Sequence, residues 1–134
     1  MPHIWVEYSA NLDAELDIPQ TLKTVQDAAI GDGKAFPLAG ARTRAVRVDG
    51  YLIADGHPDN AFIHVVIKVG HGRTLEERKA LADRTFAALK ELTAPIMARR
   101  PLGLSLQVDE ADPVLNLKSS NYREYLAQRS GAMN

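Results

Sequence analysis

The segment AFIHVVIKVGHGRTLEE at residues 61–77 decides how this chain is read. Its first nine residues alternate, with Ile63, Val65, Ile67 and Val69 on one side and Phe62, His64, Val66 and Lys68 on the other. Such a strand buries its first face against helices, while the second face, still carrying Phe62 and Val66, is only partly exposed. GHGR at 70–73 is a tight loop. Thr74 followed by Glu77 forms a capping box, and Leu75 begins the apolar set of the next helix. Leu81 or Ala82, Thr85 or Phe86, Leu89, Leu92 or Thr93, and Ile96 recur at near-helical spacing. They predict a helix over about 75–98, which Pro95 kinks or brings towards its end. PLGLSLQVDE at 101–110 follows as a strand with Leu102, Leu104, Leu106 and Val108 on one face.

Working outward, the N-terminal part repeats this order. MPHIWVEY at 1–8 alternates Ile4, Val6 and Tyr8 with His3, Trp5 and Glu7, which ties the N-terminus into a sheet. Asp17, Pro19 and Gln20 read as a helix start, Leu22, Val25 and Ala28 or Ala29 as its apolar stripe, and GDG at 31–33 as its stop. That gives a helix at 18–30. After a loop through FPLAG, a second strand is predicted from Arg42 to about Ile53. Regular alternation puts Arg42 and Arg44 on one face and Arg47 on the other, which leaves room for a bulge. DGHPDN at 55–60 is the clearest turn. The fold class is therefore α+β: one domain over 1–134, with two βαβ halves at about 2–55 and 61–110. The halves form a four-stranded sheet with the helices on one face. The C-terminal extension, 111–134, holds a short helix at about 119–128 and a tail, RSGAMN, expected to fray.

Right-handed crossovers make the strand pair within each half parallel. The sheet face away from the helices carries Phe62, Val66, Trp5 and either Leu52 or Ile53, too apolar to be left in water. With no second layer in the chain, other subunits are its expected cover.

Composition narrows the function classes. The chain has 134 residues, 46% apolar and 25% charged, with a net charge of −1 and no cysteine. There is no basic run, which disfavours nucleic-acid and anionic-membrane partners. Disulfides and thiolate chemistry are excluded. The four histidines show no metal-ligand spacing. Without a signal-peptide pattern or a membrane-length apolar run, a cytoplasmic protein is expected.

Three features could carry chemistry. Pro2 follows the initiator Met, whose removal would leave a secondary amine at the head of a strand. To act as a base, that amine must be neutral, and burial and nearby cations would lower its pKa from the ordinary α-amine range of ~7.7–8.0. Arg42 at the start of strand two and Arg73 at the end of the GHG loop stand at element ends, where bidentate guanidinium groups grip carboxylates or stabilise a developing enolate. The GHGRT loop, opening a helix, could also cradle an anion. His64 reads as a structural residue, and no nucleophile-elbow serine is present.

Together PHIWVEYSANL, FPLAGARTR, VDGYLIADGHPDNAFIHVVIKVGHGR and PLGLSLQVDEADPVLNLKSSN carry a family resemblance. Over residues 2–125 the chain resembles the 5-carboxymethyl-2-hydroxymuconate isomerase family of the tautomerase superfamily. The resemblance implies a tautomerase-like homotrimer without cofactor or metal, acting on a small carboxylated substrate in homoprotocatechuate degradation. It implies that Pro2 is the catalytic proline and that Arg42 and Arg73 are the active-site arginines. Phe36 and Leu38 are expected to line the pocket, and Arg44 or Arg47, if it entered, would alter substrate preference. Ala45, Arg47 and His71 match no family role. Two alternatives stay open: a tautomerase for another 2-hydroxydienoate or an arylpyruvate enol, and a non-catalytic anion-binding trimer of the same fold.

Overall fold

In the computed structural model, which describes residues 1–131, the strand–helix–strand order runs twice. The elements are β1 (His3–Ser9), α1 (Ile18–Ile30), β2 (Arg42–Val48), β3 (Ala61–Val69), α2 (Leu75–Met97), β4 (Leu102–Glu110) and α3 (Tyr122–Gly131). Short 3-10 turns occupy 10–12 and 38–40. The sheet order is β2-β1-β3-β4. Each half contributes a parallel pair, β1 with β2 and β3 with β4, and the halves meet antiparallel through β1 and β3. The two first strands thus sit side by side at the centre, and the crossover helices cover one common face.

Period-two alternation sets which side chains lie beneath the helices. Ile4, Val6, Ile63, Val65, Ile67 and Val69 are almost wholly buried there, together with Val25 and Ala29 of α1 and Leu81 and Leu89 of α2. Each such aliphatic side chain contributes roughly 1.5–3 kcal/mol by leaving water. Threonines let the helices approach the core closely. Thr21 and Thr93 are buried and satisfy their hydroxyls on the carbonyls of Asp17 (2.7 Å) and Leu89 (2.8 Å), four residues earlier.

Both helix starts form as their sequences predict. Asp17 caps α1 by accepting from Gln20 N at 3.0 Å. Thr74 and Glu77 complete the capping box of α2, and Gly72 makes the preceding turn at φ +110°, in the left-handed region open to glycine. Pro95 lies inside α2, which ends two residues later at Met97.

Several boundaries differ from the sequence reading. β2 stops at Val48 rather than near Ile53, because Asp49 and Gly50 turn the chain out of the ladder. Leu52 and Ile53 consequently leave the sheet for the following loop, and Leu52 is 85% exposed. No bulge interrupts β2: the register runs unbroken from His3 opposite Arg42 to Ser9 opposite Val48. The last helix begins at Tyr122, after Ser120 Oγ accepts from Tyr122 N at 3.1 Å. Of the tail expected to fray, residues 129–131 belong to this helix and 132–134 lie outside the described residues. α3 rests against the 38–40 turn, beside the N-terminus.

Trp5, Val46, Phe62 and Val66 share the open sheet face by register and carry its apolar character. His64 Nδ1 on that face is 2.6 Å from Ser105 Oγ, which gives the ring a local partner.

Candidate functional site

The N-terminus is held at one end of the sheet, at the head of the inner strand β1, by the first rung of the β1–β2 pair. Pro2 is buried, and its carbonyl accepts from Arg42 N at 2.9 Å. That bond places the head of β1 and the head of β2 together, so Arg42 stands beside the terminal amine. The 38–40 turn passes so close that a methyl group on Gly40 would collide with Met1 N and the Met1 carbonyl. While Met1 is present, only glycine fits this close approach of two backbones.

Arg42 and Arg73 are docked by one edge and free at the other. Arg42 Nη1 donates to the carbonyls of Ala39 (2.9 Å) and Ala41 (3.1 Å). Its guanidinium carbon lies 4.3 Å from the Tyr122 ring centroid, a cation–π contact that holds α3 over the site. Arg73 Nε donates to Ala35 O at 3.0 Å, and its guanidinium faces the Phe36 ring at 5.6 Å. The loop at 35–41 thus anchors both arginines. Among the described residues no carboxylate pairs with either of them.

These groups line a cleft of ≈ 510 Å³ whose walls include Met1, Arg42, Arg73, Lys118, Arg123 and Glu124. Burial, followed by the charges of Lys118, Arg42 and Arg73, lowers the Met1 ammonium from its ordinary 8.0 to about 6. His3 also borders the cleft, and burial and the Arg44 charge lower its pKa. Among the described residues there is no group of three or more His, Asp or Glu placed to hold a metal ion.

The structure brings together Pro2, Arg42 and Arg73, which stand far apart in sequence. It keeps the other strand-two arginines out. Arg44 contacts His3 Nδ1 at 3.1 Å and covers the Trp5 ring at 4.4 Å. Arg47 is bound by Asp13 at 2.7 Å and by Asp49. His71 of the GHGR loop lies 3.7 Å from Glu110, as does Arg78. The expected pocket lining is corrected: Phe36 is 1% exposed beneath Arg73 and Arg84, Leu38 points outward, and Pro37, Ala39 and Gly40 form that wall instead. A large ring sandwiched by two guanidinium groups is more stable inside than in water.

Residues 2–126 match the family described as 5-carboxymethyl-2-hydroxymuconate isomerase. The chain belongs to that family. It is 40% identical over 121 residues to a 5-carboxymethyl-2-hydroxymuconate Delta-isomerase of Escherichia coli, covering 90% of this chain and 95% of the relative. A 5-carboxymethyl-2-hydroxymuconate isomerase from Deinococcus radiodurans R1 superposes with a TM-score of 0.88 at 33% identity, covering 93% of both chains. A further crystal structure of a 5-carboxymethyl-2-hydroxymuconate delta-isomerase gives 0.84 at 28% identity, covering 94% of this chain and 93% of that one. This member of the isomerase family is accordingly a tautomerase-like enzyme.

Three residues at the candidate site escaped sequence reasoning. Lys118, Tyr122 and Arg123 come from the C-terminal extension, whose only signal was the family-like segment PVLNLKSSN. Arg84 was equally silent, since it lies mid-helix among other charges. It donates to the carbonyls of Ala28 and Ala29, at 2.5 and 2.7 Å, so it holds the end of α1, and its guanidinium carbon lies 5.9 Å from the Phe36 ring centroid.

Proposed function

We propose that this enzyme isomerises 5-carboxymethyl-2-hydroxymuconate, with the Pro2 amine as the base once Met1 is removed. The observation that carries the reading is the buried, hydrogen-bonded Pro2 directly behind Met1, which lines a cleft together with Arg42 and Arg73. Met1 occupies the space before the Pro2 nitrogen, and its depressed ammonium stands in for the amine that its removal would expose. The same burial and the same cations would keep a Pro2 amine neutral and able to take a proton near neutral pH.

The chemistry is a proton relocation with no net redox change. The Pro2 nitrogen takes the proton of the substrate 2-hydroxyl, the O–H electron pair becomes part of a 2-oxo group, and the conjugated double bonds shift. The ammonium then returns a proton to the far carbon of the dienol, forming a C–H bond. Arg42 and Arg73 pair with substrate carboxylates and stabilise negative charge on the 2-oxygen. Reaction within homoprotocatechuate degradation, in the cytoplasm, follows from this substrate.

The assembly proposed for the working enzyme is a homotrimer, with the open face of Trp5, Val46, Phe62 and Val66 covered by neighbouring copies. A structure that superposes on this chain at 20% identity is described as a symmetric trimer of fused 4-OT, a statement about that protein's assembly.

The test is an ultraviolet assay of 5-carboxymethyl-2-hydroxymuconate isomerisation by the native chain and by Pro2→Ala, with intact mass establishing Met1 removal in both. Robust native turnover that collapses in the variant is the expected result. No turnover by processed native protein would overturn the substrate, and undiminished turnover by Pro2→Ala would overturn the base.

A further inference from the structure

Lys118 lines the same cleft as Arg73, in a segment that belongs to neither βαβ half. The segment is led there by built features. Ala111 N donates to Val69 O at 2.7 Å, continuing the sheet contact one residue past β4. Asp112 then accepts from Val114 N (2.8 Å) and Leu115 N (2.7 Å), which reverses the chain. At the far end, the Arg42–Tyr122 contact fixes the segment against the site.

The charge lining this cleft is uneven. Arg42, Arg73, Lys118 and Arg123 face a single carboxylate, Glu124, in a protein whose net charge is −1. Among the described residues Lys118 has no salt-bridge partner, whereas Lys23 and Lys79 pair with Asp27 and Asp83 on their helices. Lys118 also stands first among the cations that depress the terminal amine, ahead of Arg42 and Arg73, and Arg123 is absent from that set. Lys118 thus lines the same cleft as the terminal amine, Arg42 and Arg73.

We propose that Lys118 is a substrate-binding residue that grips the third carboxylate of a tricarboxylate and so selects it over dicarboxylate analogues. This rests on the isomerase reading, since two arginines suffice for two carboxylates and the proposed substrate has three. A carboxymethyl arm rotates freely, and a lysine ammonium on its flexible stem meets such a group as a point charge without the fixed fork that arginine demands. The C-terminal extension then acts as the selectivity element of the site, while the βαβ halves supply the base and the first two cations.

The test compares native enzyme with Lys118→Met and Lys118→Arg at pH 8. Calorimetry uses propane-1,2,3-tricarboxylate and glutarate as unreactive probes, and turnover uses 5-carboxymethyl-2-hydroxymuconate and 2-hydroxymuconate. Lys118→Met should weaken binding of the tricarboxylate about 10-fold and of glutarate less than about 2-fold, the scale of one lost charge-assisted hydrogen bond. KM for the three-carboxylate substrate should rise by a similar factor with kcat nearly unchanged, and Lys118→Arg should recover most of the loss. Equal weakening of both probes, no weakening, or native protein that binds glutarate as well as the tricarboxylate would overturn the proposal. Native protein that turns over neither substrate would refute the isomerase reading, and the calorimetry would still decide the role of Lys118.

Discussion

Replacing Arg73 with alanine separates the site's binding energy from the fold's stability. In the folded chain the Arg73 side chain makes a 3.0 Å bond to Ala35 O and a 5.6 Å cation–π contact with Phe36. A charge-assisted hydrogen bond contributes ~1.5–3 kcal/mol, but Ala35 O can recover part of this from water. The aromatic contact adds ~0.5–1 kcal/mol at a partly exposed position. The net loss of stability is then about 1–2 kcal/mol, which for a chain of this size lowers Tm by roughly 3–8 °C. Against the substrate the loss is larger. Removing one partner of a desolvated, hydrogen-bonded charge pair costs ~2–5 kcal/mol, and the partial exposure of this cleft favours the lower end. The expected fall in kcat/KM is therefore about 30- to 100-fold, with Arg73→Lys intermediate because charge is kept and the fork is lost. Steady-state kinetics on 5-carboxymethyl-2-hydroxymuconate and a thermal melt of the same preparations supply both numbers. A fall of less than about 3-fold in a folded variant would refute the role given to Arg73. A variant that loses activity only in proportion to its unfolded fraction would refute it equally.

Two further outcomes follow from the same geometry. The terminal amine is depressed, to about 6 for Met1, by burial and then by Lys118, Arg42 and Arg73. With the neutral amine as the proposed base, kcat/KM should be full above the depressed value and fall as pH drops through it. Arg73→Ala removes a cation and should move this acid limb to higher pH, and a limb at or above the ordinary α-amine range of ~7.7–8.0 in native enzyme would contradict the cation field. Sedimentation on serial dilution should show trimers that dissociate only with loss of circular dichroism. A well-folded monomer would mean that the face of Trp5, Phe62 and Val66 needs no cover.

Local chemistry decided much of this protein before any tertiary contact formed. Alternation of Ile63, Val65, Ile67 and Val69, the Asp17 and Thr74 caps, and the DGHPDN turn depend on neighbours within a few residues, so they were legible from order alone. Parallel pairing within each half followed from crossover handedness, and the family-like FPLAGARTR and GHGR segments pointed to Arg42 and Arg73, whereas the antiparallel meeting of β1 with β3 was not read from the sequence. The end of β2 was read too late, although Asp49-Gly50 is itself a turn signal, because the apolar Tyr51, Leu52 and Ile53 beyond it continue a strand-like pattern. Phe36 was misplaced for a different reason. Its burial depends on Arg73 and Arg84, which arrive from 37 and 48 residues away in sequence. The tertiary structure alone decided that Lys118 and Arg123 line the cleft, that Tyr122 packs on Arg42, that Arg44 and Arg47 are consumed by His3, Trp5, Asp13 and Asp49, and that Gly40 lies against Met1. Each of those depends on where distant backbones converge, and period and propensity carry no information about that convergence.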